Sequence, residues 1–381
     1  MTISFKNEAN PTQYQMKIAV ILGTRPEIIK MSPVIRSLLD KKEDFFILHT
    51  GQHYSYDMDR SFFDVLSLPN PAYNLDVGSG THAGQTGKIM AGIETVLLKE
   101  QPDAVLVQGD TNTVLAGALA AVKLHIPVGH VEAGLRSFDR RMPEEINRIV
   151  ADHVSDFLFA PTETAKNNLL HEGIPENNIF ITGNTIVDAV SQNLGIAGEK
   201  TDSLRGLGIA RGCYFLATAH RAENVDGQER LEKIVRCLSE LHDRYNVPVI
   251  FPIHPRTEAR LREYGTTTNG ILVCPPRNFL EFLQLEANAR LILTDSGGVQ
   301  EEACILGVPC ITLRDSTERP ETVMVGANRL AGVEPEAVLM AADEMLTAPG
   351  SWKNPFGDGT AADRIVGILQ NFFNTPHCFP S

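Results

Sequence analysis

The sequence predicts an α/β protein with two Rossmann-like, doubly wound domains. Short apolar, β-rich runs alternate with helical patterns along most of the chain. This alternation pauses over the polar, glycine-rich stretch 196–212 and then resumes, so that stretch is the best candidate linker. A chain of 381 residues is also long enough for two domains. We predict an N-terminal domain over 1–190 and a C-terminal domain over 191–362, with a final helix over 363–381 that joins the N-terminal domain.

The N-terminal domain is predicted from six strand-like runs, each followed by a loop and a helical pattern. These runs are KIAVILG (17–23), FFILHTG (45–51), DAVLVQGD (103–110), IPVGHVEAG (126–134), FLFAP (157–161) and IFITGN (179–184). They are continuous apolar segments, which is typical of strands that are buried on both faces. A parallel sheet covered by helices is therefore expected.

The C-terminal domain repeats this architecture. Its strand-like runs are CYFLATAH (213–220), VPVIFPIHP (247–255), GILVCPP (270–276), RLILTDSGG (290–298) and VPCITLRD (308–315). The last helical pattern, TAADRIVGILQNFF (360–373), has no strand after it. It either caps this domain or crosses back onto the first one, and the domain assignment above takes the second alternative.

Composition limits the classes of function. The net charge of −13 argues against nucleic acid or an anionic membrane as partner, because both need a basic surface. The six cysteines show no CxxC pair and no metal-ligand spacing, so we expect reduced thiols and no bound metal. Neither a secretory signal nor a run of about 20 apolar residues is visible, so a cytoplasmic protein without a membrane segment is expected.

Ligands of doubly wound sheets bind beyond the carboxyl ends of the strands, and two facing domains would place the site in the cleft between them. In TDSGGVQEEA, Ser296, Gly297 and Gly298 open a helix whose free N–H groups can bind a diphosphate. Glu302, one turn later, can accept hydrogen bonds from ribose hydroxyls. The alternatives are a plain N-cap for Ser296 and a helix-dipole charge for Glu302. Neither GxGxxG nor GxxxxGK[ST] occurs, so the sequence supports neither a nicotinamide nor a P-loop assignment.

Acidic side chains end two of the apolar strands. Asp110 and Glu132 should be partly desolvated, which raises the pKa of a carboxyl and suits a proton carrier. The alternative is a carboxylate that accepts backbone N–H bonds at the next helix start, and it is stronger for Asp110 because DTNT resembles an N-cap sequence. Glu132 lies in the charged segment HVEAGLRSFDRRMPEEINR (130–148), which is either a solvated loop or an active-site loop.

Basic side chains also follow the strands. Arg25 and Lys30, in GTRPEIIK, are candidate phosphate ligands, and surface charge is the alternative for each. His220 ends FLATAH and is either an ordinary loop histidine or a donor to a developing negative charge. His254 and His53 have the same two alternatives.

The motifs GTRPEIIK, GDTNT, HVEAGLRSFDRRMPEEINR, PTET, GNTIVDA, HRAEN, TDSGGVQEEA and RDSTERPE closely resemble those of the non-hydrolysing UDP-N-acetylglucosamine 2-epimerases. The resemblance runs in register from about residue 16 to about residue 370. It implies the glycosyltransferase-B fold, in which two Rossmann-like domains face each other across a cleft. It also implies a homodimer that uses no redox cofactor and interconverts UDP-N-acetylglucosamine and UDP-N-acetylmannosamine.

The resemblance implies residue roles as well. Catalytic roles fall on Asp110, Glu132, Glu144 and His220, and the neighbouring Glu145 is the alternative to Glu144. Substrate-binding roles fall on Arg25, Lys30, Arg277, Phe282, Ser296, Gly297, Gly298, Glu302 and Arg319. Phe282 lies where the family brackets the uracil. Gln52, His53 and His254 are candidates for a pocket in which substrate acts as an allosteric activator.

The chemistry needs such a set of residues. Expulsion of UDP from C1 acidifies the C2 proton, so the expected route is anti-elimination to a glycal and re-addition of UDP with protonation on the other face. Carboxylates suit the proton transfers at both faces. Three rival enzymes are a 2-epimerase of a UDP-diacetamido-glucuronate, a UDP-sugar glycosyltransferase and a hydrolysing epimerase. A non-enzymatic nucleotide-sugar sensor is a rival of another class.

Overall fold

The computed structural model describes residues 15–52, 62–347 and 351–375. The chain divides into two compact units, which we call unit 1 (Met1–Thr185 with Thr360–Ser381) and unit 2 (Ile186–Gly359). Each unit is built around a parallel sheet, which confirms the predicted α/β class with two doubly wound domains. Among the described residues, no helix is both long and apolar enough to cross a membrane.

Unit 1 alternates strands and helices from its first described residues. Its strands are β1 (Lys17–Leu22), β2 (Asp44–His49), β3 (Tyr73–Asn74), β4 (Ala104–Gln108), β5 (Val128–Val131), β6 (Phe157–Ala160) and β7 (Ile179–Ile181). Its helices are α1 (Arg25–Asp40), α2 (His82–Glu100), α3 (Asn112–Lys123), α4 (Pro143–Val154) and α5 (Glu163–His171), and α15 (Ala361–Asn374) returns to it. The edge strand β3 was not predicted, because a two-residue strand is too short to leave a periodic pattern.

Unit 2 repeats the alternation. Its strands are β8 (Phe215–Thr218), β9 (Val249–Pro252), β10 (Ile271–Cys274), β11 (Leu291–Thr294), β12 (Cys310–Thr312) and β13 (Asn328–Leu330). Its longer helices are α6 (Thr185–Lys200), α9 (Gln228–Tyr245), α10 (Pro255–Tyr264), α11 (Phe279–Asn288), α12 (Gly297–Leu306) and α14 (Pro335–Thr347). Its short helices are α7 (Ser203–Leu207), α8 (Ala222–Val225) and α13 (Pro320–Met324).

The strand order tells where each sheet can bind a ligand. Over the described residues, the sheet of unit 1 runs β3-β2-β1-β4-β5-β6-β7 and that of unit 2 runs β10-β9-β8-β11-β12-β13, with every pairing parallel. The order therefore reverses at β1/β4 in unit 1 and at β8/β11 in unit 2. At such a switch point, the loops that follow the two adjacent strands run to opposite faces of the sheet, and a crevice opens between them. Asp110, His220 and Ser296 lie shortly after β4, β8 and β11, and Arg25 begins the helix that follows β1.

Tight packing fixes the loop after β1 against the start of α3. A Cβ at Gly23 would lie 2.0 Å from Thr113 Oγ1 and 2.5 Å from Thr50 Oγ1, so a larger side chain has no room there. On the buried face of α3, a Cβ at Gly117 would lie 3.0 Å from Val107 Cγ1. Small residues thus let α3 approach the sheet closely, and its first turn lies beside the end of β1.

The last helix, α15, packs within unit 1. Ser37 donates to Asp363 Oδ1 at 2.6 Å, and Gln370 donates to Glu43 Oε1 at 2.6 Å. The ring of Phe372 lies edge-on to that of Phe157, with 4.8 Å between the centroids. These contacts show that α15 crosses back onto the first domain and does not cap the second one.

The polar stretch 196–212 differs from the prediction of a linker. It contains the end of α6 and all of α7, and the two units divide at Thr185 instead. The Asp202 side chain accepts a hydrogen bond from the Arg205 N–H, and Gln284 accepts one from the Ser203 N–H at 2.7 Å. Polar residues in this stretch therefore cap a helix. A linker prediction from composition cannot distinguish such capping residues from the polar residues of a solvated coil.

Candidate active site

A buried carboxyl joins the ends of the two strands at the switch point of unit 1. Glu27, in the first turn of α1, accepts hydrogen bonds from the Gly23 N–H at 2.5 Å and the Thr24 N–H at 2.9 Å. It also accepts one from the hydroxyl of Thr111, which follows β4. Burial raises the pKa of Glu27 to about 7 against the effect of these three donors, and the negative charge of Asp110 contributes in the same direction as burial.

Asp110 follows β4 and is not the N-cap of α3. Thr111 takes that position, and its side chain accepts from the Thr113 N–H. The carboxylate of Asp110 is instead paired with the Arg148 guanidinium, and Asn147 donates to the Asp110 carbonyl at 2.9 Å. The side chain remains 30% exposed, so it is held in place and still accessible.

Glu132 follows β5 and has a backbone φ of 68°. This left-handed conformation is uncommon for a residue other than glycine and marks a position that its surroundings impose. Its carboxylate is buried and lies 2.6 Å from Lys30 Nζ. Asn184 donates to the same oxygen at 3.0 Å, and Gln108 donates to the other one. Three elements far apart in the sequence thus converge on this carboxylate.

The structure separates the neighbouring acids at the start of α4. Glu145 is buried and accepts from the Ser137 N–H and hydroxyl at 2.9 Å and from the Phe138 N–H at 3.0 Å. Burial alone would raise the pKa of Glu145, but these donors and Arg148 hold it below its usual value. Glu145 therefore closes the preceding loop. Glu144 is half-buried, so it is the more accessible of the two acids.

A buried charge network supports the segment from β5 to α4. His130 Nδ1 lies 2.6 Å from Asp152 Oδ1, and His130 Nε2 lies 2.8 Å from the Gly109 carbonyl oxygen. Both ring nitrogens thus face acceptors, which favours the imidazolium. Burial lowers the pKa of His130, and the Asp152 carboxylate outweighs it and leaves that pKa raised. Arg136 bonds the other Asp152 oxygen at 2.7 Å. The network fixes the carbonyl immediately before Asp110.

The basic residues of α1 have different surroundings. Arg25 is half-buried, and its guanidinium carbon lies 5.9 Å from the centre of the Phe62 ring. Lys30, one turn later, bonds to Glu132. Of the pair predicted to contact substrate, Lys30 is therefore engaged with a predicted catalytic residue.

Unit 2 has a cavity of about 250 Å³ at the end of β8 and β11. Among the residues predicted for the site, His220, His254, Arg277, Phe282 and Ser296 line it. The structure therefore brings together one predicted catalytic residue, three predicted substrate-binding residues and one candidate allosteric residue. Burial, together with the nearby His220 and Arg256, lowers the pKa of His254.

His220 is oriented by Asp295, the last residue before the Ser-Gly-Gly turn. His220 Nδ1 lies 3.1 Å from Asp295 Oδ1, and the N–H groups of His220 and Arg221 each donate to Asp295 Oδ2 at 2.9 Å. Burial would raise the pKa of Asp295, but His220 and these N–H groups keep it below its usual value. Because Nδ1 faces Asp295, the other ring nitrogen of His220 is available for a ligand.

The Ser-Gly-Gly turn opens α12 as expected. Ser296 is its N-cap, and the Ser296 N–H donates to Thr294 Oγ1 at 2.9 Å. Gly297 is buried and Gly298 is exposed. The N–H groups in the first turn of a helix bind anions, so this ten-residue helix can hold a phosphate at the cavity.

Four predicted residues remain, and the first of them, Glu302 on α12, is half-buried. Arg319 lies beside Glu301, with 2.6 Å between Nε and Oε1. The side chain of Gln52 is buried and accepts from the Thr113 N–H and hydroxyl, so it fixes the start of α3. His53 lies outside the described residues. Within the described ranges, no group of three histidine, cysteine or acidic side chains is arranged to hold a metal ion.

Glu27 and Asp295 were not predicted from the sequence. Glu27 had a local signal, because Thr24-x-x-Glu27 has the spacing of a capping box at a helix start. Asp295 had a weaker signal, since it immediately precedes the predicted phosphate turn. Asparagine and arginine partners such as Asn184 and Arg148 left no signal, because their role depends on contacts across 52 and 38 residues of sequence.

Comparison with known proteins identifies the family of this chain. A family model described as UDP-N-acetylglucosamine 2-epimerase matches residues 37–370. A UDP-N-acetylglucosamine 2-epimerase from Methanocaldococcus jannaschii is 61% identical over 362 residues, which covers 93% of this chain and 99% of that protein. A UDP-2,3-diacetamido-2,3-dideoxy-D-glucuronate 2-epimerase from Pseudomonas aeruginosa is 44% identical over 357 residues, with 93% and 99% covered.

Solved structures give the same result. The crystal structure of the M. jannaschii UDP-GlcNAc 2-epimerase in complex with UDP-GlcNAc and UDP matches with a TM-score of 0.82 at 61% identity. The match covers 93% of this chain and all (100%) of that one. The family model spans most of the sequence, and the relatives are covered almost completely. The chain therefore belongs to the UDP-N-acetylglucosamine 2-epimerase family of isomerases.

Proposed function

We propose that this chain interconverts UDP-N-acetylglucosamine and UDP-N-acetylmannosamine without net hydrolysis. The observation that carries the proposal is the pair of fixed carboxylates, Asp110 and Glu132, which follow the adjacent parallel strands β4 and β5. The M. jannaschii relative bears this epimerase name, and its crystal structure contains UDP-GlcNAc and UDP, which supports the substrate class.

The reaction begins by removal of UDP. The C2 hydrogen of the sugar is weakly acidic, because no carbonyl group is adjacent to it. When the C1–O bond breaks and its electron pair leaves with the diphosphate, C1 becomes cationic and acidifies C2. A base takes the C2 proton, and a glycal and UDP remain. Re-addition of the diphosphate oxygen to C1, with protonation of C2 on the opposite face, gives the epimer.

The proton transfers are assigned to Asp110, Glu132 and Glu144 as a set. Lys30 orients Glu132 and Arg148 orients Asp110, while Glu144 is accessible at the start of α4. A positioned acid or base contributes typically about 10²- to 10⁴-fold to a rate. Two such groups on opposite faces of C2 are the minimum that inversion requires.

Unit 2 is assigned to the leaving group. The first turn of α12, with Ser296, Gly297 and Gly298, takes the diphosphate, and His220 donates to its developing negative charge. Arg277 and Phe282 line the same cavity and take the uracil. Arg25 and Arg319 are further contacts to the nucleotide sugar. In this assignment, tight retention of UDP is what prevents net hydrolysis.

A second substrate has a specific argument in its favour. The P. aeruginosa relative, 44% identical, is named for UDP-2,3-diacetamido-2,3-dideoxy-D-glucuronate. The same elimination and re-addition would epimerise C2 of that sugar. We favour UDP-N-acetylglucosamine because the relative with 61% identity is named for it.

The test is incubation of the purified protein with UDP-N-acetylglucosamine alone in D₂O. We expect epimerisation without an acceptor, deuterium at C2 and an intact UDP linkage. Net release of UDP would indicate a hydrolysing enzyme, and no exchange without an acceptor would favour a glycosyltransferase or a sensor. Glu132→Gln should abolish the exchange, whereas the control Glu229→Gln, at a side chain that is 85% exposed, should not.

We also propose that the chain works in the cytoplasm as a homodimer. The dimer is what the family resemblance implies, and the buried free thiols of unit 2, such as Cys237 and Cys310, suit a reducing compartment. Light scattering coupled to size exclusion tests the dimer directly. A monomer at the concentrations used for assays would contradict it.

A further inference from the structure

The side chain of His130 connects the ends of two neighbouring strands of unit 1. His130 belongs to β5, and its Nε2 lies 2.8 Å from the carbonyl oxygen of Gly109, which follows β4. The N–H of Gly109 in turn donates to the Val131 carbonyl at 3.1 Å. The peptide groups on both sides of Gly109 are therefore bound to β5, one through a backbone carbonyl and the other through the imidazole ring.

The two proposed catalytic carboxylates lie next to this connection. Asp110 directly follows Gly109, and Glu132 follows His130 by two residues. A Cβ at Gly109 would lie 3.9 Å from Glu132 Oε2, so the Glu132 carboxylate is close to the chain that carries Asp110. A shift of the Gly109 peptide would therefore change the position of Asp110 relative to Glu132.

Asp152 on α4 holds the imidazole ring in place. His130 Nδ1 lies 2.6 Å from Asp152 Oδ1, and the Gly134 N–H donates to Asp152 Oδ2 at 3.1 Å. Asp152 thereby binds a residue on each side of Glu132. The segment is also tightly packed at Gly134, where a Cβ would lie 2.3 Å from the Ala165 carbonyl oxygen. The left-handed conformation of Glu132 is thus held from both sides.

The charges of this network compensate one another away from solvent. The side chains of His130 and Asp152 are completely buried, and Arg136 bonds both Asp152 and the partly exposed Glu172. A carbonyl oxygen and a carboxylate only accept hydrogen bonds, so both ring nitrogens of His130 carry protons. Two positive side chains therefore face two negative ones.

We propose that His130 is a positioning residue whose ring, held by Asp152, sets the position of Asp110 relative to Glu132. This inference rests on the proposed function, in which these two carboxylates transfer protons at C2. It explains why charged side chains are buried here, since apolar residues of similar volume would often cost less. The ring is completely buried and does not reach the substrate, so its effect should appear in kcat and not in KM.

Two substitutions of similar shape separate the two ends of the ring. In His130→Asn, the amide nitrogen takes the place of Nδ1 and reaches Asp152 only. In His130→Gln, the amide nitrogen takes the place of Nε2 and still donates to the Gly109 carbonyl. We expect His130→Asn to lower kcat by about 100-fold, since a misplacement of about 1 Å can have that effect, and His130→Gln to lower it by less than about 10-fold. KM, and UDP binding measured by calorimetry, should stay near the wild-type values in both.

Thermal stability provides the control. Both variants replace a buried imidazolium by a neutral amide, so both should lower the melting temperature by similar amounts. Glu172→Gln weakens the outer end of the same network, where Glu172 accepts two hydrogen bonds from Arg136. It should lower the melting temperature and leave kcat unchanged. Activity should therefore follow the bond to Gly109 and not the stability of the protein.

Equal loss of kcat in His130→Asn and His130→Gln would show a merely structural role and overturn the inference, as would full activity in both or a loss confined to KM. If either variant does not fold, the ¹⁵N spectrum of the histidine-labelled wild type decides. Both ring nitrogens of His130 should be protonated at neutral pH, and an unprotonated Nε2 would overturn the inference. A wild type that does not epimerise UDP-N-acetylglucosamine would contradict the proposed function instead, and the nitrogen spectrum would still test the bond between His130 and Gly109.

Discussion

Lys30 and Glu132 are 102 residues apart in the sequence, and their charged atoms lie 2.6 Å apart in the structure. Both side chains are mostly shielded from solvent, with exposures of 16% and 5%. Because removal of one partner from a buried pair leaves an uncompensated charge, we expect Lys30→Met to lower the free energy of unfolding by about 3 kcal/mol. Lys30→Met/Glu132→Gln should recover most of that loss in urea titrations and remain inactive. A double variant no more stable than Lys30→Met would contradict the pairing.

The left-handed backbone of Glu132 gives a second prediction. At a φ of 68°, alanine is strained and glycine is not. We expect Glu132→Gly to be more stable than Glu132→Ala by about 1 kcal/mol in chemical denaturation, the reverse of the order in a helix or strand. Both variants should lack epimerase activity and still bind UDP. Equal stability would show that the backbone relaxes once the carboxylate is gone.

Glu144 and Glu145 should respond differently to the same substitution. Glu144→Gln should lower kcat by about 100-fold or more and leave the melting temperature unchanged, since this side chain is accessible and is assigned to proton transfer. Glu145→Gln should lower the melting temperature instead, because it weakens acceptance from the Ser137 and Phe138 N–H groups. Both variants should be measured by kinetics and by calorimetry, so that each variant is the matched control for the other. A stable, inactive Glu145→Gln beside a fully active Glu144→Gln would exchange their roles.

The buried carboxyl of Glu27 predicts a pH dependence. Its pKa is about 7 in the folded protein against 4.5 as the ordinary value, so the folded state binds more protons between these two pH values. Stability from this group is therefore complete below pH 4.5 and is lost as the pH rises through 7, by about 3 kcal/mol in total. Glu27→Gln should flatten this fall, as measured by urea titrations at pH 5 and pH 8. An unchanged difference between wild type and variant would contradict it.

Asp295 should act through His220. Asp295→Asn removes the carboxylate that faces His220 Nδ1 and accepts two backbone N–H bonds. We expect kcat to fall by about 100-fold, with a changed pH profile, since the ring loses its fixed orientation. KM should change much less. A pH profile identical to that of the wild type would show that Asp295 only holds the backbone N–H groups and does not act through His220.

The fold and most of the candidate residues could be predicted from local patterns. Apolar runs that alternate with helical segments predicted two parallel sheets, and Asp110, Glu132 and Ser296 were found because each follows such a run. The same reasoning failed for the stretch 196–212, where polar residues cap a helix. It also missed Glu27 and Asp295, since composition does not distinguish a buried acid that accepts hydrogen bonds from a solvated one.

The sequence by itself determined where along the chain each strand ends and which polar residues follow it. Only the tertiary structure decided the partners. Glu132 with Lys30, Asp110 with Arg148, and His220 with Asp295 are pairs of side chains on separate elements, and their orientation depends on how those elements pack. Periodicity reflects which face of an element is apolar, whereas these pairings depend on distances through space, which arise only when the sheets are assembled.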